Sequence, residues 1–193
     1  MEKLSQLNLQ EMLFRLDAKI NNDSLDTFIN VVNDLQPFEE LDLFIRGEGG
    51  ELGVTDTMIN IINKLTLTNV VNLHAYEYIM SSHFHLFFRA KAHRKTLTGS
   101  SYGMIHKGEW SHNLVEGYNV RDESYNVFMK SYITQTDSIK ELNSFVKFDK
   151  NEIKALKENK DLYILPSRMN ELLSYNMTKT QAKPLKFPKN EDN

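Results

Sequence analysis

The apolar positions of this chain fall into short blocks that switch between two periods. Met12, Phe14 and Leu16 alternate with polar neighbours, which predicts a strand. A turn and helix-start signal, Asn21-Asn22-Asp23-Ser24, comes next, and Leu25, Phe28, Ile29, Val32 and Leu35 then recur on one helical face until Pro37 stops the helix. Leu41 to Ile45 is an apolar run broken only by Asp42 and reads as a buried strand. It enters a glycine-dense turn (Gly47, Gly49, Gly50), after which Met58, Ile61, Ile62 and Leu65 form a second helical face. Val70 to Ala75 predicts a short strand, Tyr76 to Ser82 a turn carrying two serines, and His83 to Ala90 a helix. Thr96-Leu97 and Tyr102 to His106 read as short strands around a Gly99-Ser100-Ser101 bend.

The alternation then breaks. Lys107 to Tyr118 is polar and reads as a surface loop, and Arg121 to Leu142 is a long helical segment without Pro or Gly. Tyr125, Phe128, Tyr132, Ile139 and Leu142 share one stripe of it, so this helix is expected to protrude and to carry a subunit contact. Asp149 with Glu152 three residues on is a capping-box start, Leu162 to Leu165 a brief strand, and Pro166-Ser167 the opening of a last helix with Met169, Leu172 and Leu173 apolar. The pattern predicts one α/β domain over residues 1–176, with a mostly parallel sheet, flanking helices and right-handed βαβ units, and a flexible tail over 177–193.

Composition narrows the functions. An apolar content of 40% over 193 residues suffices for one sizeable core. A net charge of -3 gives no electrostatic reason to expect nucleic acid. The absence of cysteine excludes disulfides and thiolate chemistry. No apolar run approaches the roughly 20 residues of a membrane span, and Met1-Glu-Lys-Leu-Ser lacks a signal-peptide pattern, so a cytoplasmic protein is expected.

A strand, a glycine turn and a helix in series present backbone N–H groups to an oxyanion. By itself the Gly49-Gly50 pair is as well explained by a tight bend, Ser81 or Ser82 by a helix N-cap, and His106 by a strand end facing solvent. His83 and His85 point to different sides of a helix with no matching carboxylate set, so no metal is expected. Gly-x-Gly-Gly is not the dinucleotide fingerprint, and no cofactor is expected.

The order of these features resembles the proteolytic subunit of the Clp protease (ClpP), in the ClpP/crotonase-like fold, over roughly residues 10 to 176. Phe44-Ile-Arg-Gly-Glu-Gly-Gly50 is similar to the family's strand ending in a Pro-Gly-Gly turn, with Glu48 where proline is usual. Ala75 to Lys91 is similar to its serine-bearing turn and helix, Met104-Ile105-His106 to its histidine-bearing strand end, and Asp161 to Ser167 with Met169 to Leu173 to its last strand and helix. The resemblance implies a serine endopeptidase subunit with Ser81 as nucleophile, His106 as base and an oxyanion hole from Gly49, Gly50 and Ser82. It also implies polypeptide substrates, a ring-shaped homo-oligomer and an ATP-driven unfoldase partner. Two departures stand out. The family sets its serine among Gly and Ala, whereas here the stretch is Glu77-Tyr78-Ile79-Met80-Ser81-Ser82-His83, with bulky neighbours. At the triad acid's place stands Leu156 or Lys157, so the alternative is a catalytically impaired subunit with a structural or regulatory role.

Overall fold

The computed structural model describes residues 11–106, 140–158 and 160–185. Strand β1 (Glu11–Leu16), helix α1 (Asn22–Asp34), β2 (Glu40–Gly47), α2 (Leu52–Leu65), β3 (Val70–Met80), α3 (Ser82–Arg89), β4 (Arg94–Leu97) and β5 (Tyr102–Ile105) follow one another in the first segment. Helix α4 (Lys150–Lys157), β6 (Leu162–Ile164) and α5 (Pro166–Thr180) complete the described chain. The strands form one sheet in the order β1-β2-β3-β5-β6, with β4 pairing β3 off that path. All pairings are parallel except β5 with β6. The mostly parallel α/β sheet with flanking helices is the architecture expected from the alternation.

Period-two alternation decides which face is core. Leu41, Leu43 and Ile45 of β2 and Val71, Leu73 and Ala75 of β3 are all buried. Phe28 of α1, Met58 and Ile62 of α2 and Phe84, Phe87 and Phe88 of α3 join them in one cluster. Burying a large apolar side chain contributes about 1.5–3 kcal/mol, so this cluster dominates the fold's stability. α1 starts on a capping box: Ser24 N–H donates to Asn21 Oδ1 and Asn21 N–H to Ser24 Oγ, both at 3.0 Å. That satisfies two donors the first turn would leave open.

Two expectations change. Tyr76 to Met80 is not part of a turn, because β3 continues to Met80. The strand kinks at Glu77, whose φ is 55°, and changes partner there: residues up to Ala75 pair with β4, and Tyr78 to Met80 pair with β5. The new partner is remote in sequence, which is why local pattern missed it. The last helix does not end at 176 but runs to Thr180, and the chain then pairs with Ala92: Ala92 N–H donates to Thr180 O at 3.1 Å and Ala182 N–H to Ala92 O at 2.7 Å. The loop at 107–118 and most of the helix at 121–142 lie outside the described residues. Residues 140–145 are helical, and Leu142 is buried in the core.

Candidate active site

Three strand ends meet at one edge. The register sets Gly47 beside Ile79 and Met80 beside Met104, so the ends of β2, β3 and β5 are neighbours. The glycine turn, Ser81 and His106 follow these ends directly. Open α/β sheets place ligands beyond the carboxyl ends of their strands.

Ser81 has φ 49° and ψ −118°. A non-glycine residue in such a conformation costs on the order of 1–3 kcal/mol and persists only where its surroundings hold it. Here Ser81 N–H donates to Met104 O at 2.8 Å, and Ser81 O accepts from His85 N–H at 3.0 Å. Ser81 occupies the N-cap position of α3, yet its side chain makes no capping bond. Its Oγ instead lies 2.9 Å from His106 Nε2. The N-cap reading thus lacks the bond that defines it. Ser82 differs: it is fully buried, and its Oγ donates to Gly50 O at 2.8 Å, tying α3 to the glycine turn.

The turn is pinned on its other side by Ile20. Ile20 N–H donates to Gly49 O at 3.0 Å, and Glu51 N–H donates to Ile20 O at 2.8 Å. The peptides are trans, so the Gly50 N–H is antiparallel to the Gly49 carbonyl and points away from Ile20, to the side of β3 and α3. Among the described residues neither Gly50 N–H nor Ser82 N–H has a hydrogen-bond acceptor. A Cβ on Gly49 would sit 3.1 Å from Ser81 Oγ and 3.2 Å from Ser82 N, so the missing side chain is what leaves room in front of the serine.

Gly49 needs correcting as a donor. Its N–H is not open to an oxyanion but donates to His83 Nδ1 at 2.9 Å. The sequence pattern marks His83 only as half of a His-x-His pair without a matching ligand set. The available signal was its place two residues after Ser81, where the resembled family is small. Burial lowers the His83 pKa to about 4, with the Ala18 carbonyl and then Asp17 opposing that only in part. Among the described residues no partner meets hydrogen-bond geometry at Nε2. His85 is lowered to about 3, first by burial and then by Arg89 and His106.

Among the described residues the acid remains without a candidate. His106 Nδ1 makes no hydrogen bond among the described residues. Leu156 is buried in the core and Lys157 is exposed. The nearby carboxylates are engaged elsewhere: Asp149 caps α4, Glu152 receives Arg168, and Glu158 receives Lys160. Asp161 is exposed. A second Asp-His-hydroxyl arrangement, with His74 Nε2 2.5 Å from Asp42 Oδ1 and His74 Nδ1 2.7 Å from Thr96 Oγ1, lies mid-sheet. Backbone N–H groups there are spent in the strand ladder, so it offers no oxyanion donors.

An open cleft of about 390 Å³ borders the glycine turn, lined by Asp17, Lys19, Gly47, Glu48, Gly49, Gly50 and Tyr78. Glu48 is exposed and Asp17 is held by Arg46 at 3.6 Å and by the Tyr76 hydroxyl. Among the described residues no three His, Asp or Glu side chains converge as a metal-binding set.

The chain is similar in structure to a mutant of ClpP1 from Listeria monocytogenes, with a TM-score of 0.62 and 15% sequence identity over 92% of this chain and 93% of that one. The fold is therefore ClpP-like. No family model matches the sequence, and no curated relative matches it either. Among the described residues no helix is long and apolar enough to cross a membrane.

Proposed function

We propose that this chain is a divergent ClpP-type serine endopeptidase subunit acting on unfolded polypeptides. The observation that carries the reading is Ser81 Oγ at 2.9 Å from His106 Nε2, on a strained turn and free of any capping bond. Ser81 Oγ attacks the peptide carbonyl carbon while His106 Nε2 takes its proton. The N–H groups of Gly50 and Ser82 receive the oxyanion; Gly49 contributes space rather than a donor. His106 returns the proton to the leaving amine, and water then cleaves the acyl-enzyme. His106 Nδ1 requires an acceptor, and this reading assigns it to a carbonyl or carboxylate of a neighbouring subunit in a ring-shaped homo-oligomer fed by an ATP-driven unfoldase.

Labelling with a fluorophosphonate, followed by mapping of the modified residue, tests this. Ser81 is the expected site, with labelling lost in Ser81→Ala, down at least 10²-fold in His106→Ala and retained in Ser82→Ala. Wild-type protein that takes no label rejects the proposal. Leu156 and Lys157 at the acid's place favour a second reading, a catalytically impaired subunit with a structural or regulatory role. An unlabelled protein that still assembles into rings selects it.

A further inference from the structure

We propose that His83 is a positioning residue for the oxyanion turn, holding the backbone from Gly47 to Gly50 in register with Ser81. The inference rests on the reading of Ser81 as nucleophile and adds a residue that this reading does not contain. His83 sits two residues after Ser81 on α3, the helix whose first N–H groups face the same space. Its imidazole fills the inside of the turn. A Cβ on Gly47 would lie 2.5 Å from His83 Cε1 and 2.7 Å from Nε2, so the ring rests directly on the Gly47 backbone. Nδ1 accepts the Gly49 N–H at 2.9 Å, and the ring is fully buried.

The bond determines both the tautomer and the direction of the turn. An Nδ1 that accepts cannot carry a proton, so His83 is neutral with its hydrogen on Nε2. The Gly49 N–H is drawn to α3 while the Gly49 carbonyl is drawn to Ile20 N–H at 3.0 Å on the opposite side. These two opposed bonds fix the planes of the peptides on either side of Gly49. The Gly50 N–H direction follows from the second of them. Ser82 Oγ on Gly50 O, at 2.8 Å, closes the frame from the same helix. A turn of three glycines at positive φ has wide conformational freedom, and without these bonds its donor would sample many directions. A preorganised oxyanion donor is effective because it does not reorient during reaction.

The test is the rate of Ser81 phosphonylation in full-length wild type, His83→Leu and His83→Asn. Leucine fills similar volume without an acceptor; asparagine Oδ1 replaces Nδ1 on the same side-chain carbon. The expected result is a fall in the inactivation rate constant of about 10²-fold in His83→Leu, with the reagent's binding constant unchanged, and recovery to within about tenfold in His83→Asn. Equal rates in wild type and His83→Leu, or an equal loss in both variants, overturn the inference while leaving Ser81 as the nucleophile. No label in wild type overturns the nucleophile reading itself, and the positioning role with it. Should the variants fail to fold, ¹⁵N NMR of the wild-type chain decides: scalar coupling between the Gly49 amide nitrogen and an unprotonated His83 Nδ1 supports the inference, and a protonated Nδ1 rejects it.

Discussion

A methyl group added at Gly49 would meet Ser81 Cβ at 2.7 Å, and the backbone there has φ 119°, a conformation that L side chains rarely adopt. Gly49→Ala therefore both strains the turn and blocks the space before Ser81 Oγ. The expected outcome is a fall of at least 10²-fold in Ser81 phosphonylation, read by intact-protein mass spectrometry. Lys95 makes a different residue-scale case. Its Nζ donates to Asn176 Oδ1 at 2.8 Å inside the core, and burial pushes its pKa well below the usual lysine value. The Phe87 ring, 5.6 Å from Nζ, is too weak a partner to hold a buried charge. Burial thus disfavours the charged form in the folded chain, and stability rises with pH as the unfolded chain gives up the same proton. Lys95→Met leaves Asn176 Oδ1 bonded to Thr180 Oγ1 at 2.9 Å. It is expected to raise stability by about 1 kcal/mol at pH 7 in urea unfolding, and a loss instead would show that the lysine bond outweighs its desolvation.

Among the elements, α4 and α5 are joined by one side chain. Arg168 of α5 donates through Nε and Nη2 to both oxygens of Glu152 at 2.9 and 2.8 Å, and to Lys147 O at 2.8 Å. Glu152 in turn accepts from Asp149 N–H at 2.7 Å, closing the cap of α4. A two-oxygen arginine pair that also supports a helix cap exceeds the usual surface ion pair. Arg168→Ala is expected to lower stability by about 1–2 kcal/mol, with Arg168→Lys recovering less than half because it lacks the fork. Strand β3 shows how an element serves the site. Its kink at Glu77 carries the last three residues from β4 to β5, and that exchange sets Ser81 beside His106.

For the whole molecule, two buried neutral histidines make folding acid-sensitive. Both His83, at about 4, and His85, at about 3, titrate below the ordinary value of 6.5. An unfolded chain takes up these protons as pH falls through 6.5 and the folded chain does not, so stability is greatest above that value and declines toward pH 4. About 2 kcal/mol per histidine should be lost by about pH 5, and His85→Met should halve that loss in urea titrations. At the scale of assembly, light scattering should give a multiple of the 22.5 kDa chain mass; a monomer at micromolar concentration would argue against rings.

The element sequence up to Tyr102 to His106 was legible because each segment buries one face, and burial writes a period of two or of 3.6 into the chain. The helix start at Asn21 to Ser24 was legible because the residues that make it, Asn21 and Ser24, are only three apart. The order of glycine turn, serine and histidine could be read in the same way. Only the tertiary structure decided how Ser81 and His106 meet, because they are 25 residues apart and come together through the pairing of β3 with β5. It also decided that the Gly49 N–H belongs to His83 and that the chain beyond Met177 joins the fold through Ala92. In each of these the partner lies far along the chain and is chosen by packing, so no local pattern of residue types records it.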